Sequence, residues 1–64
     1  MPKFFGKFQI KNNRAGEFYF VLKAKNGETI ARSESYSSKQ GAKRGIRSVR
    51  YTSTFASIED LTEK

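Results

Sequence analysis

The chain has 64 residues and contains no cysteine and no histidine. Without cysteine there is neither a disulfide staple nor a thiolate metal site. Without histidine the commonest metal ligand and the commonest general base are gone as well. No apolar run approaches the roughly 20 residues of a membrane span. The opening Met-Pro-Lys-Phe-Phe-Gly-Lys lacks the apolar core of a signal peptide, so the expectation is a soluble cytoplasmic protein with no membrane partner. A domain this small buries only about 60% of the surface of its unfolded chain. Domains of this size are stapled by disulfides, by a metal or by a partner subunit, and of these the subunit is left open here.

Acidic residues are also scarce. Thirteen Lys and Arg face six Asp and Glu, a formal charge of +7, and Glu59, Asp60 and Glu63 all lie in the last six positions. The body of the domain is therefore more basic than the total. Such an excess permits polyanion binding, but by itself it governs solubility and non-specific association.

What is present is mostly β-pattern. The stretch Glu17 to Arg32 reads as a hairpin, with two apolar arms flanking Asn26-Gly27. Strands are expected at about 3–11, 17–24 and 28–34. In the first, Phe4, Phe8 and Ile10 share one parity, while Phe5, Lys7, Gln9 and Lys11 take the other. In the second, Phe18, Phe20 and Leu22 oppose Tyr19, Val21 and Lys23. Asn12 to Gly16 forms the first connecting loop. A two-residue turn at Asn26-Gly27 would set Leu22 opposite Ala31. A three-residue turn with Gly27 left-handed would set Leu22 opposite Ile30 and Val21 opposite Ala31, which keeps apolar residues together on both faces and is the expected form.

A helix is expected over about 38–52. Ser37 can cap it, with Gln40 reaching back in a Ser-x-x-Gln box. Ala42, Ile46 and Val49 at i, i+4 and i+7 form the face that covers the sheet. Gly41 and Gly45 each lower helix propensity by about 1 kcal/mol. Gly45 borders the apolar stripe, which suggests close approach to the sheet backbone; Gly41 has no such explanation. Residues 54–61 fit either a strand, with Ala56 and Ile58 on one face, or a short helix capped at Ser57.

These residues carry a family resemblance. The runs Leu22 to Ile30, Ser33 to Tyr36, Ser38 to Ala42 and Gly45 to Arg50 resemble the YegP-like family of small bacterial domains of unknown function. The resemblance covers about residues 8–50 and implies an α+β fold, a single β-β-β-α-β unit with an antiparallel sheet and one covering helix. It further implies that two units join into one continuous sheet and exchange C-terminal strands, at about 55–61 here. On that basis the chain is expected to be a homodimer; the family carries no function over, and the expected role is a structural or protein-interaction module with the exposed sheet face or the helix pair as its contact surface.

Two surfaces are candidates for binding. At 100° per residue, Lys39, Lys43, Arg47 and Arg50 fall within about 80° of one another on the helix, with Arg44 further round. Such a stripe suits phosphates and would give a weak, sequence-tolerant nucleic-acid binder whose affinity falls with salt. Equally, it is the solvated outer face of a helix whose inner face covers the sheet. Phe5 and Tyr19 lie beside Lys7 and Lys23 on the parity opposite the core and are candidates for base stacking, although aromatics on strands more often pack. Catalysis is not expected: the serines and lysines lack an activating partner, and the family resemblance implies that Ser38–Lys39 is the start of the helix. The Glu59, Asp60 and Glu63 cluster suits a solvated tail better than a hard-cation site. No cofactor is expected.

Overall fold

The computed structural model describes residues 5–63. Three strands, β1 (Gly6–Asn12), β2 (Phe18–Ala24) and β3 (Thr29–Arg32), precede one helix, α1 (Lys39–Phe55). The strands form an antiparallel sheet in the order β1-β2-β3, so the fold is α+β as expected. Lys3 and Phe4, where the first strand was expected to begin, lie outside the described residues. Residues 56–63 form no helix or strand within the single chain, and Phe55, assigned from sequence to a final strand, is the last residue of the helix.

The two hairpin turns are built alike. In each, a residue pair closes three loop residues, the third a glycine with positive φ: Gly16 at 80° and Gly27 at 92°. Asn13 N–H donates to the Glu17 carbonyl at 2.9 Å, and Ala24 N–H donates to the Glu28 carbonyl at 2.7 Å. An asparagine side chain reinforces each loop. Asn13 Oδ1 accepts from the Ala15 and Glu17 amides at 2.9 Å each, and Asn26 Oδ1 accepts from Glu28 at 3.1 Å. These short acceptors hold the backbone in the turn conformation.

The three-residue form of the second turn is therefore present, but the register expected beyond it is not. Lys23 pairs with Thr29, whereas Leu22 pairs with Ala31 and Val21 with Arg32. Ile30 is the extra residue of a β-bulge and stands 63% exposed. The pattern rule failed because it assumed an unbroken ladder; one inserted residue shifts every partner beyond it. The shift sets Arg32 beside Val21 and carries its guanidinium to 4.2 Å from the Tyr19 ring centroid. It also aligns Ser33 with Phe20. The Ser33 hydroxyl accepts from the Phe20 amide at 2.9 Å, and the Ser33 amide donates to the Phe20 carbonyl at 2.9 Å.

Phe8, Ile10, Phe18, Phe20 and Leu22 share the helix-facing side of the sheet. Phe20 meets Phe8 edge-on at 5.8 Å and lies nearly parallel to Tyr36 at 6.2 Å. Tyr36 is anchored by its backbone: its amide donates to the Phe18 carbonyl at 2.6 Å and its carbonyl accepts from the Phe18 amide at 2.8 Å. The ring thus enters the space under α1. A Cβ on Gly41 would stand 3.4 Å from Tyr36 Cβ, and one on Gly45 would stand 2.8 Å from Tyr36 Cζ and 3.0 Å from Phe20 Cε2. Gly45 therefore makes room for the rings, whereas a Cβ at Gly41 would meet Tyr36 at ordinary contact distance. The close approach expected at Gly45 is to side chains, not to the sheet backbone.

Ser38, not Ser37, caps the helix, with its hydroxyl accepting from the Gly41 amide at 2.9 Å. The Ser-x-x-Gln signal thus placed the cap one residue early. The Tyr36 bridge to Phe18 fixes the chain just ahead of it, and Ser38 is the residue with extended backbone (φ −139°, ψ 155°). Ser38→Ala is expected to cost about 1 kcal/mol, read as a fall in the urea midpoint, while Ser37→Ala leaves the midpoint nearly unchanged.

Candidate functional site

The helix carries Lys39, Lys43, Arg44, Arg47 and Arg50, all exposed, and its sequence holds no carboxylate. None of these cations joins a carboxylate among the described residues. Lys39 to Lys43 and Lys43 to Arg47 are like-charge pairs at i, i+4, each costing a few tenths of a kcal/mol. Lys39 further opposes the positive end of the helix dipole. Helix α1 is therefore held by its underside, where Ala42 is fully buried and Gly45 admits Tyr36. Arg50 departs from the stripe: its guanidinium leans over the Phe8 ring at 5.7 Å.

The opposite side of the sheet is the second surface. Here β1 contributes Lys7, Gln9 and Lys11, β2 contributes Tyr19, Val21 and Lys23, and β3 contributes Arg32. Lys7 stands directly across from Lys23 and Lys11 across from Tyr19. At the centre Val21 is only 5% exposed although it faces away from the helix. Gln9 and Arg32 flank it directly and Tyr19 and Lys23 lie along its strand, so their stems cover it.

Phe5 and Tyr19, expected to share a face, do not. Gly6 has φ 139°, and the backbone turns there so closely that a Cβ would strike the Lys23 carbonyl oxygen. This breaks the strand alternation. Phe5, 82% exposed, lines a groove of about 640 Å³ on the helix side with Phe8, Leu22, Ile46 and Arg50. Only Tyr19 stands among the outer-face cations.

The acidic tail makes no cation site: among the described residues, no three carboxylates are grouped closely enough to hold a metal. Asp60 instead accepts from the Thr62 hydroxyl at 2.6 Å and from its amide at 3.0 Å, and these bonds hold its carboxyl below the usual range. The Ser38 hydroxyl is engaged in the cap, so the adjacent Ser38–Lys39 pair is structural. Among the described residues no helix is long and apolar enough to cross a membrane. Arg32, Ser33, Tyr36 and Gly41 were missed as organising residues. The spacing Gly41-x-x-x-Gly45, two small residues on one helix face, was the available signal for Gly41.

Four large apolar side chains stand at the end of the chain with little to cover them. Tyr51 and Phe55 meet edge-on at 5.8 Å while 74% and 77% exposed, and Ile58 and Leu61 are 96% and 81% exposed. Against these, the buried apolar core among the described residues consists of Phe20, Val21 and Ala42.

Residues 13–60 match the family described as a domain of unknown function, DUF1508. The chain is 50% identical over 56 residues to the UPF0339 protein YegP of Yersinia pestis, covering 88% of this chain and 50% of that protein. It is 45% identical over 56 residues to a UPF0339 protein of Treponema denticola, covering 88% of this chain and 97% of that one. The chain thus spans about half the length of some curated relatives it matches and nearly all of others. The NMR solution structure of a protein from Haloferax volcanii has the same fold, with a TM-score of 0.80 at 32% identity over 88% of this chain and 95% of that chain.

Proposed function

Because the chain belongs to the YegP-like family of domains of unknown function, we propose that it is a non-enzymatic homodimeric module, structural or protein-interacting, whose C-terminal segment completes the sheet of a second copy. The observation that carries this is the mismatch between core and surface. The chain exposes 5832 Å², more than 1,000 Å² above the roughly 4,200 Å² of a compact monomer of this mass. Its radius of gyration is 13.8 Å, against about 10.7 Å for a compact domain of this length. An excess of that size on each of two chains reaches the range of obligate homodimers, about 2,000 Å² and above.

The segment after α1 suits the exchange. The chain leaves the helix extended at Ala56 (φ −72°, ψ 140°), and Ala56 and Ile58 then share one parity. Of the two sheet edges, β3 is short and bulged, whereas β1 has seven residues in unbroken register beside the groove of Phe8, Leu22 and Ile46. An unbroken edge next to an apolar groove is the natural acceptor of an added strand. Relatives of about this length and of twice this length agree with a unit that is used in pairs. Sedimentation at micromolar concentration is expected to report twice the 7.3 kDa chain mass; a folded monomer at that concentration would overturn the proposal.

The helix supports a second reading, sequence-tolerant nucleic-acid binding by Lys39, Lys43, Arg44, Arg47 and Arg50. The observation in its favour is the run of cations with no carboxylate to neutralise them. Lys43→Ala and Arg47→Ala would then weaken binding equally for all sequences and each lower the salt slope by about one.

A further inference from the structure

The outer face of the sheet lies on the far side of the molecule from the helix stripe. Three features set it apart from an ordinary solvated sheet.

The first is charge without compensation. None of β1, β2 or β3 contains an Asp or Glu, so Lys7, Lys11, Lys23 and Arg32 share one face with no carboxylate from the sheet. Lys7 and Lys23 are direct cross-strand partners, an arrangement that destabilises a sheet, where opposite charges would add to it. The second feature is a flat ring beside that charge. The Arg32 guanidinium lies over the Tyr19 ring, 4.2 Å from its centroid, so a ring and a planar cation form one stack on which a base can be added, and the β3 bulge is what brings them together. The third is layout. Lys7 and Lys11 are about 13 Å apart along β1 at the rise of a strand, with Lys23 and Tyr19 directly across from them. Cations therefore border a patch whose middle is Val21 and the Tyr19–Arg32 pair.

We propose that this face binds single-stranded nucleic acid, with Tyr19 and Arg32 stacking bases and Lys7, Lys11 and Lys23 contacting phosphates. Aromatic rings and guanidinium planes both take unstacked bases, and a basic surface that follows the backbone makes the binding tolerant of sequence. A duplex hides the faces of its bases, and this sheet has no projecting element to enter a groove, so the single strand is the form it fits. The site is independent of the helix stripe, and either can fail alone. In the dimer proposed above, Glu59 of an added strand would stand at the rim on the opposite parity to Ile58. Glu17, opposite Asn13 on the parity of Lys11 and Tyr19, already stands at the other end of this face, so two carboxylates face four cations and the surface stays positive.

The test titrates the full chain with a single-stranded oligothymidylate, with a duplex of mixed sequence and with inorganic polyphosphate. Binding of the oligothymidylate is expected at low salt, weakening about 20-fold between about 50 and 200 mM salt, the slope of three neutralised phosphates on a single strand. Lys7→Gln with Lys23→Gln should cut that slope to about a third while leaving thermal stability equal or higher, because the like-charge pair is gone. Tyr19→Leu keeps an apolar side chain over Val21. It should weaken oligothymidylate by about tenfold and leave polyphosphate unchanged. Lys43→Gln with Arg47→Gln should leave the oligothymidylate slope as it is.

Failure to bind at low salt overturns the proposal. So does tighter binding to duplex than to single strand, or a Tyr19→Leu variant that binds as well as the parent. If the helix variants lose binding and the sheet variants keep it, the site is the helix. Monomeric behaviour in sedimentation would overturn the dimer and leave this proposal standing.

Discussion

Gly45→Val is expected to unfold the domain at room temperature, read as loss of the helical far-ultraviolet signal and of a cooperative urea transition. An added Cβ would lie 2.8 Å from Tyr36 Cζ and 3.0 Å from Phe20 Cε2, inside van der Waals contact for both, with the Tyr36 hydroxyl nearer still. A ring tip can often swing aside, but this one has little freedom. Its backbone is held by two hydrogen bonds to Phe18, its face lies against Phe20, and Gly41 closes over its Cβ. Moving it means lifting α1 from the sheet. Overpacking costs about 1–3 kcal/mol where the core can adjust and more where it cannot. A stability of about 0.05–0.15 kcal/mol per residue gives this chain only a few kcal/mol in total.

Gly45→Ala separates the terms. The alanine gains about 1 kcal/mol in helix propensity and still meets the Tyr36 ring, so a net loss of about 1–2 kcal/mol is expected. Tyr36→Phe removes the nearest clashing atom. The double variant should therefore recover part of the loss, and a coupling of about 0.5 kcal/mol or more in that cycle would identify the contact. A Gly45→Ala variant more stable than the parent, with no coupling to Tyr36→Phe, would mean that the helix and the ring do not touch.

That contact also marks what was legible in the sequence. The helix face of Ala42 and Ile46 was readable from period alone, although Val49, expected on the same face, stands 37% exposed; the parity of Phe8, Phe20 and Leu22 and the left-handed glycine at position 27 were readable too. Each of these depends on neighbours within a turn or a strand. Tyr36 was not readable, because its importance comes from a bridge to Phe18 across 18 positions and from two glycines that follow it. The bulge at Ile30 was hidden for a related reason. Its benefits are the Arg32–Tyr19 stack and the Ser33–Phe20 bonds, which are long-range pairings that no alternation pattern encodes. Of the candidate surfaces, the helix stripe followed directly from 100° spacing. The pairing of Phe5 with Tyr19 did not survive Gly6, whose positive φ interrupts a strand that a simple alternation rule treats as continuous.

Removing residues 56–64 is expected to do to the assembly what Gly45→Val does to the single chain. Ile58 and Leu61 stand 96% and 81% exposed in the isolated chain. In an added strand Ile58 faces the groove while Leu61 falls with Glu59 on the other parity; burying Ile58 is worth about 1.5–3 kcal/mol, and an exchange counts both copies, so the dimer stands to lose about 3–6 kcal/mol. The truncated chain should sediment as an aggregating or partly unfolded species. The parent's melting temperature should rise with concentration, as linkage requires of a folded dimer, and the truncated chain should show no such dependence. Ile58→Asp tests the same burial with one side chain, and Glu59→Gln, on the opposite parity, should have little effect on dimerisation. A truncated chain that melts cooperatively at the parent's temperature would show that the tail adds nothing to folding. In that case the exposed Tyr51, Phe55, Ile58 and Leu61 would need a different partner, since the core of Phe20, Val21 and Ala42 among the described residues leaves them uncovered in a single copy.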